Sequence, residues 1–163
     1  MQPSRALLAG IACLSLAAVG AALVSQHGFD MQPCPWCVLQ RLIFVAIGLV
    51  ALGGLVWHSA SGQRSVALGL LLLLCSAGIA AVLWQHFVAA SSSSCNLTLA
   101  DRILSATGLP NLLPDVFEAR ATCADAAVDL LGVPYEFWSL GLFVLLAAGA
   151  AWVWVLGRQM PTR

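Results

Sequence analysis

Four long apolar runs, separated by polar segments of unequal length, organise the chain. They fall at about residues 6–24, 42–57, 66–84 and 138–156, and none contains an Asp, Glu, Lys or Arg. Each is near the length at which a helix crosses about 30 Å of hydrocarbon, the second being the shortest and needing a turn from its flanks. Lipid gives bare backbone groups no partner, so the runs are expected to be helical. The long connection at residues 87–137 has a pattern of its own. Ala89-Ala90-Ser91-Ser92-Ser93-Ser94 is a small, flexible tract ahead of Cys95. Leu97, Ala100, Ile103 and Leu104 then recur at helical spacing, with Thr98, Asp101, Arg102 and Ser105 opposite, which predicts a short two-faced helix over 97–106. Thr98-x-x-Asp101 resembles a capping box, and Gly108, Pro110 and Pro114 end the helix. It could lie flat on a bilayer or pack on the other helices. Gly132-Val133-Pro134 breaks the chain before the fourth run. The fold class expected is an all-α membrane protein: one domain over 1–163, a four-transmembrane-helix bundle with external loops at about 25–41 and 87–137, the second carrying the short amphipathic helix.

Composition agrees with this pattern. Of 163 residues, 61% are hydrophobic and 9% charged, where soluble domains have about 25% charged residues. So small a chain cannot hide that much apolar surface in its own core. Net charge is zero, so no attraction to nucleic acid is indicated. Charge placement is more telling. Arg5, Arg64, Arg158 and Arg163 fall on one side of four alternating passes, and all seven acids fall on the other. Because cations favour the cytoplasmic side, both termini are expected there, with the 25–41 and 87–137 loops periplasmic or otherwise external. The first run is longer than a signal-peptide core and lacks a clean cleavage site, which favours a retained span. Trp57, Trp84, Trp138, Trp152 and Trp154 cluster near run ends, as in an interfacial belt.

The chemistry lies with the cysteines. Cys13 and Cys75 sit inside apolar runs and read as small buried hydrophobes. Cys34, Cys37, Cys95 and Cys123 sit in the external loops, in a compartment where disulfides persist. Cys34-Pro35-Trp36-Cys37 stands at the entry to the second run, with proline suited to a first helical turn. The amides and dipole of that helix start would favour a thiolate at Cys37. Arg41 is four residues on, on the same helical face, where it could support that thiolate or hold an anionic reduced acceptor. His86 ends the third run on the same side and is a candidate for contact with an acceptor. C-x-x-C alone also suits a zinc site or a structural disulfide, but Cys95 and Cys123 are too far apart for a zinc knuckle. Three readings stand: a redox enzyme, a non-enzymatic scaffold with two structural disulfides, and a metal transporter or sensor, the last weakened by the lack of acids in the spans.

The pattern resembles the disulfide bond formation protein B family. The resemblance rests on Pro33-Cys34-Pro35-Trp36-Cys37-Val38-Leu39-Gln40-Arg41, on Trp84-Gln85-His86, and on Cys123-Ala124 through Leu131-Gly132-Val133-Pro134 to Trp138. It implies that Cys95 forms a mixed disulfide with a reduced periplasmic thiol oxidant of the DsbA type. It implies that Cys123, the disulfide partner of Cys95, relays electrons to Cys34. Cys37 would then reduce ubiquinone or menaquinone from the membrane pool, assisted by Arg41. DsbA is the standing example of a strong thiol oxidant, near about −120 mV against about −200 mV or lower for ordinary redox dithiols, so reoxidation by such a dithiol is uphill by roughly 4 kcal/mol. A stronger acceptor is required. With no haem or nucleotide motif in the chain, a lipid-soluble one is the simplest choice.

Overall fold

The computed structural model describes residues 3–56, 61–91 and 98–159. Four long helices dominate: α1 (Pro3–Phe29), α2 (Pro35–Val56), α3 (Ser61–Trp84) and α7 (Tyr135–Gln159). Between the last two come α4 (Leu99–Thr107), the single-turn helices α5 (Leu109–Leu112) and α6 (Pro114–Phe117), and the strands β1 (Asp129–Leu130) and β2 (Val133–Pro134). Among the described residues four helical stretches are long and apolar enough to cross a membrane: Ser4–Phe29, Pro35–Val56, Ser65–Ala89, which runs past the end of α3, and Tyr135–Val155. They pack as a ring, α1 against α2 and α7, and α3 against α2 and α7.

The outer surface of the ring carries exposed Leu49, Leu52, Leu70, Leu73, Val144, Leu145 and Trp152, the apolar exterior that lipid requires. Its interior is closed by Ile47, Leu71, Phe143, Leu146 and Val153, all fully buried. Phe44 stacks on Phe143 with centroids 4.1 Å apart and planes 2° from parallel. The Phe143 ring lies so close to Gly78 that a side chain there would collide with it. Small residues allow this kind of close approach between membrane helices, where packing rather than a hydrophobic drive holds them together.

The helices run further than their apolar runs. Ser25–Phe29 continue α1 and Pro35 already opens α2, so the loop expected at 25–41 contracts to residues 30–34. Cys37 therefore lies in the first turn of α2, as its prolines suggested, and Arg41 one turn further along the same helix. At its other end α3 continues into a π-helical turn, Gln85–Ala89, in which Ala90 N donates to Gln85 O at 2.9 Å.

The two-faced helix forms over Leu99–Thr107 with the expected capping box: Asp101 N donates to Thr98 Oγ1, and Thr98 N to Asp101 Oδ2. Gly108 ends it at φ +68°, a left-handed conformation that suits glycine. Pro110 and Pro114 do more than end it, because each sits at the start of a new helical turn. Of the two placements left open, packing on the bundle is the one observed. Leu104 forms a buried cluster with Val38 of α2 and Phe117 of α6, while Leu99 and Ile103 are exposed. Leu97, Cys95 and Trp57 lie outside the described residues.

The fold has one β feature that the apolar pattern does not announce. Leu130 pairs with Val133 and Asp129 with Pro134 across a two-residue turn, Leu131 at φ +57° and Gly132 at φ +78°. Two successive positive φ values make the tight hairpin turn that matches strand twist. The expected chain break at Gly132-Val133-Pro134 is thus a hairpin leading directly into α7.

Candidate functional site

Apart from Ser4 and Ser15 of α1, the buried polar side chains among the described residues gather at the end of the ring that carries Cys34 and Cys37. Gln26, Gln40, Arg41, Gln85 and Glu136 are each at most 6% exposed. Such groups are costly within a membrane and need partners there.

Cys34 caps α2. Its carbonyl accepts the first helical bond, from Val38 N at 3.0 Å, and its Sγ accepts from Cys37 N at 3.3 Å. One turn in, Cys37 Sγ stands 2.6 Å from Cys34 Sγ. Cys123 comes to the same place from the long connection, and the backbone explains how. Arg120 N and Ala121 N donate to Pro33 O at 2.9 and 3.2 Å, seating that stretch beside Cys34. Thr122 and Asp125 then close a turn around Cys123, with Thr122 Oγ1 donating to Asp125 Oδ2 at 2.6 Å. Exposed bonds from Arg120 to Asp115 and Glu118, both 3.2 Å, contribute little.

The three sulfurs are electrostatically distinct. The thiols of Cys123 and Cys37, together with burial, push the Cys34 thiol far above the usual cysteine range. Cys123 is held below that range, first by its hydrogen bond with Cys34 and further by the Trp36 amide at the start of α2. The amides of α2 that were expected to serve Cys37 thus also serve Cys123. A consequence is measurable. With Cys95 changed to Ser and the protein kept reduced, so that Cys34 and Cys123 are both thiols, the pH midpoint for alkylation of Cys123 by iodoacetamide should lie below that of ordinary cysteine. Adding Cys34→Ala removes the leading cause, so the midpoint should move up and the rate at neutral pH should fall. An unmoved midpoint would eliminate Cys34 as the cause.

Cys37, unlike the fully buried Cys34, opens onto a cavity of about 270 Å³. Its polar end is formed by Cys37, Gln40, Arg41, Gln85, Tyr135 and Glu136, and its walls by Ala18, Ala21, Ala22, Phe44 and Leu142. Tyr135 Oη donates to Ser25 Oγ at 3.1 Å along one side. The Arg41 guanidinium is spread over three acceptors: Gln26 Oε1 at 2.7 Å, Val116 O at 3.1 Å and Ala22 O at 3.3 Å. Gln26 Nε2 in turn donates to Asp115 O at 3.3 Å. Among the described residues, no carboxylate lies within ion-pair distance of Arg41. Its charge is solvated by neutral dipoles and remains available to an anion in the cavity.

His86 does not line the cavity. Its Nδ1 is 2.8 Å from Glu136 Oε1, and its ring packs against Phe87 and Phe137. It is Glu136 that faces the cavity. Sequence reasoning missed Gln26, Gln40, Gln85 and Glu136 as members of this site. Glutamine carries no charge and scarcely interrupts an apolar pattern; for Gln40 and Gln85 the available signal was their place beside Arg41 and His86 in the motifs that carry the resemblance, and Gln26 had none. Cys75 is buried as expected, whereas Cys13, read as a buried hydrophobe, is exposed on the apolar outside of the bundle, and neither lines the cavity. The described residues hold no cluster of His, Cys, Asp and Glu suited to a metal ion.

A ring of membrane-length helices that gathers thiols beside a cation-bearing cavity at one end defines a multi-pass membrane protein built around thiol chemistry. A family model described as disulfide bond formation protein DsbB matches residues 4–153. Similar proteins include disulfide bond formation protein B of Herminiimonas arsenicoxydans, 31% identical over 148 residues, covering 90% of this chain and 92% of that one. That of Cupriavidus necator is 35% identical over 144 residues, covering 87% and 88%. Disulfide bond formation protein B 1 of Pseudomonas syringae pv. syringae is 32% identical over 158 residues, covering 95% and 90%. The chain belongs to the disulfide bond formation protein B family, and with it to the disulfide-forming oxidoreductases of membranes.

Proposed function

We propose that this protein reoxidises a periplasmic dithiol of the thioredoxin fold, of the DsbA type, and delivers the electrons to a membrane quinone. The supporting observation is the position of Cys34 between two sulfurs. Cys123 lies on its loop side and Cys37 on its cavity side, and of these three Cys37 is the one that lines the cavity. This reading places the long connection in the periplasm and the protein in the inner membrane, with both termini cytoplasmic.

In the first step a thiolate of the reduced partner attacks Cys95 of a Cys95–Cys123 disulfide, releasing Cys123 as thiolate. Resolution of that mixed disulfide by the partner's second thiol leaves the partner oxidised. Cys123 attacks Cys34, which breaks Cys34–Cys37 and releases Cys37 as thiolate into the cavity. Attack of Cys95 on Cys123 then restores the loop disulfide, leaving Cys34 and Cys37 reduced. Overall, one dithiol becomes a disulfide and two electrons with two protons reach the acceptor. The acceptor, ubiquinone or menaquinone, supplies this two-electron uptake when bound. The residues fit such a group: apolar walls for a ring, and a buried guanidinium without a carboxylate for an oxygen that gains negative charge. Arg41 would hold that charge, and His86 would act at one remove by holding Glu136.

The test uses purified protein in nanodiscs, a reduced thioredoxin-fold partner and short-chain ubiquinone or menaquinone analogues, without oxygen. One disulfide per quinol is expected. Turnover that continues after the quinone is removed, or fails when it is supplied, would overturn the reading. If a reduced partner lacking its second thiol also traps no adduct at Cys95, a scaffold with structural disulfides is left.

A further inference from the structure

Gln40 and Gln85 are each 4% exposed, and both line the cavity. A buried primary amide has an accepting and a donating end, and each needs a partner. Here the two ends of Gln85 are assigned differently. Its Oε1 accepts from Gln40 Nε2 at 2.7 Å, and its Nε2 donates to Cys37 Sγ at 3.3 Å. Gln40 therefore determines which end of Gln85 meets the sulfur. With Gln40 donating, the N–H of Gln85 is turned toward Cys37, and an N–H is the end a thiolate can use, since a thiolate only accepts. The backbone reinforces this placement. Gln85 begins the π-helical turn, with Gln85 and Ala89 both facing inward. Such turns occur often at functional sites.

We propose that Gln85 is a catalytic residue, donating its amide N–H to the sulfur of Cys37, and that Gln40 is the positioning residue that orients it. This rests on the reading of Cys37 as the last thiol before the acceptor. When Cys34–Cys37 opens, the electron pair of the broken bond remains on Cys37, and Gln85 is already in place to receive that charge. Arg41 supplies long-range charge from the same helix; Gln85 supplies a directed bond from another. A pair of glutamines serving only to join α2 to α3 would leave the reactivity of Cys37 unchanged.

The test measures that reactivity directly. In a Cys34→Ser background, where Cys37 has no disulfide partner in the motif, iodoacetamide alkylation of Cys37 at pH 7 should slow about tenfold with Gln85→Met, the size of one hydrogen bond to a charged group. Gln40→Met, which does not touch the sulfur, should slow it about threefold, and the double variant should be no slower than Gln85→Met alone. If Gln85→Met does not fold, Gln85→Asn withdraws the N–H by one methylene while keeping a neutral amide, and should slow alkylation likewise. With Cys34 restored, single-turnover opening of Cys34–Cys37 and quinol formation at saturating quinone should both slow about tenfold, because Cys37 is the thiolate released in the first and used in the second. Unchanged alkylation in a folded Gln85 variant, or fully additive effects of the two substitutions, would overturn the proposal. Absence of quinone-dependent turnover in the unsubstituted protein would instead overturn the function proposed above, leaving the alkylation result as a separate reading of Gln85.

Discussion

Cys37→Ala should abolish disulfide production, lowering quinone-dependent turnover by at least about 10³-fold, the scale on which loss of a nucleophile acts. The expectation follows from access. Cys34 is fully buried and Cys123 is 8% exposed, whereas Cys37 is partly exposed and lines the cavity. Without Cys37, neither remaining sulfur has a route to the acceptor. The variant should therefore stop at a defined point. Cys34, now without a partner in the motif, lies against Cys123 and should attack it within the Cys95–Cys123 disulfide, releasing Cys95 as thiolate, so a Cys34–Cys123 disulfide should accumulate, detectable by peptide mass mapping without reductant. Turnover near the unsubstituted rate would show that electrons leave through another group. Loss of turnover without the Cys34–Cys123 bond would show that Cys34 does not exchange with the loop disulfide.

The second large effect is expected at Arg41. Arg41→Leu should reduce quinol formation about 10²- to 10³-fold, as loss of a preorganised charge at a reacting centre does. It also leaves three buried acceptors unanswered: Gln26 Oε1, Ala22 O and Val116 O. Two of them belong to α1 and the third to α6, so the guanidinium joins the ring of long helices to the segment that precedes Cys123. Amide exchange across 113–118 should accordingly quicken. Arg41→Lys separates the two roles. It keeps the charge but not the planar fork, so it should recover part of the quinol rate while leaving the 113–118 segment loosened. Full activity in Arg41→Lys with unchanged exchange would mean that the fork has no importance here. Full activity in Arg41→Leu would remove Arg41 from the site.

Much of this molecule was legible without its structure, but unevenly. The four spans were visible because a charge-free apolar run is a local property of the chain. The capping box at Thr98 and Asp101 was visible for the same reason: both partners lie within one turn. The C-x-x-C pair and Arg41 four residues later were likewise within a few turns of one helix, and the structure keeps Cys37 and Arg41 on one face at the cavity. Helix ends were less legible, since the polar residues around Cys34 read as loop although backbone hydrogen bonding carries α1 and α2 through most of that stretch. His86 was singled out as a possible acceptor contact, and the structure gives the cavity to its partner Glu136 instead.

The sequence by itself determined the class of protein, the number of spans and the chemical elements of the site. The tertiary structure decided which of those elements meet. Cys123 reaches Cys34 because two amides beyond α6 find the carbonyl of Pro33. Arg41 meets Gln26 across 15 residues, Gln40 meets Gln85 across 45, and Gln26 meets Asp115 across 89. The reason is physical. Transfer of a segment into lipid sums residue by residue along the chain and can be read in one dimension. The rotation of each helix about its own axis depends on packing. Because these spans are apolar on every side, no polar stripe along them marks which face turns inward.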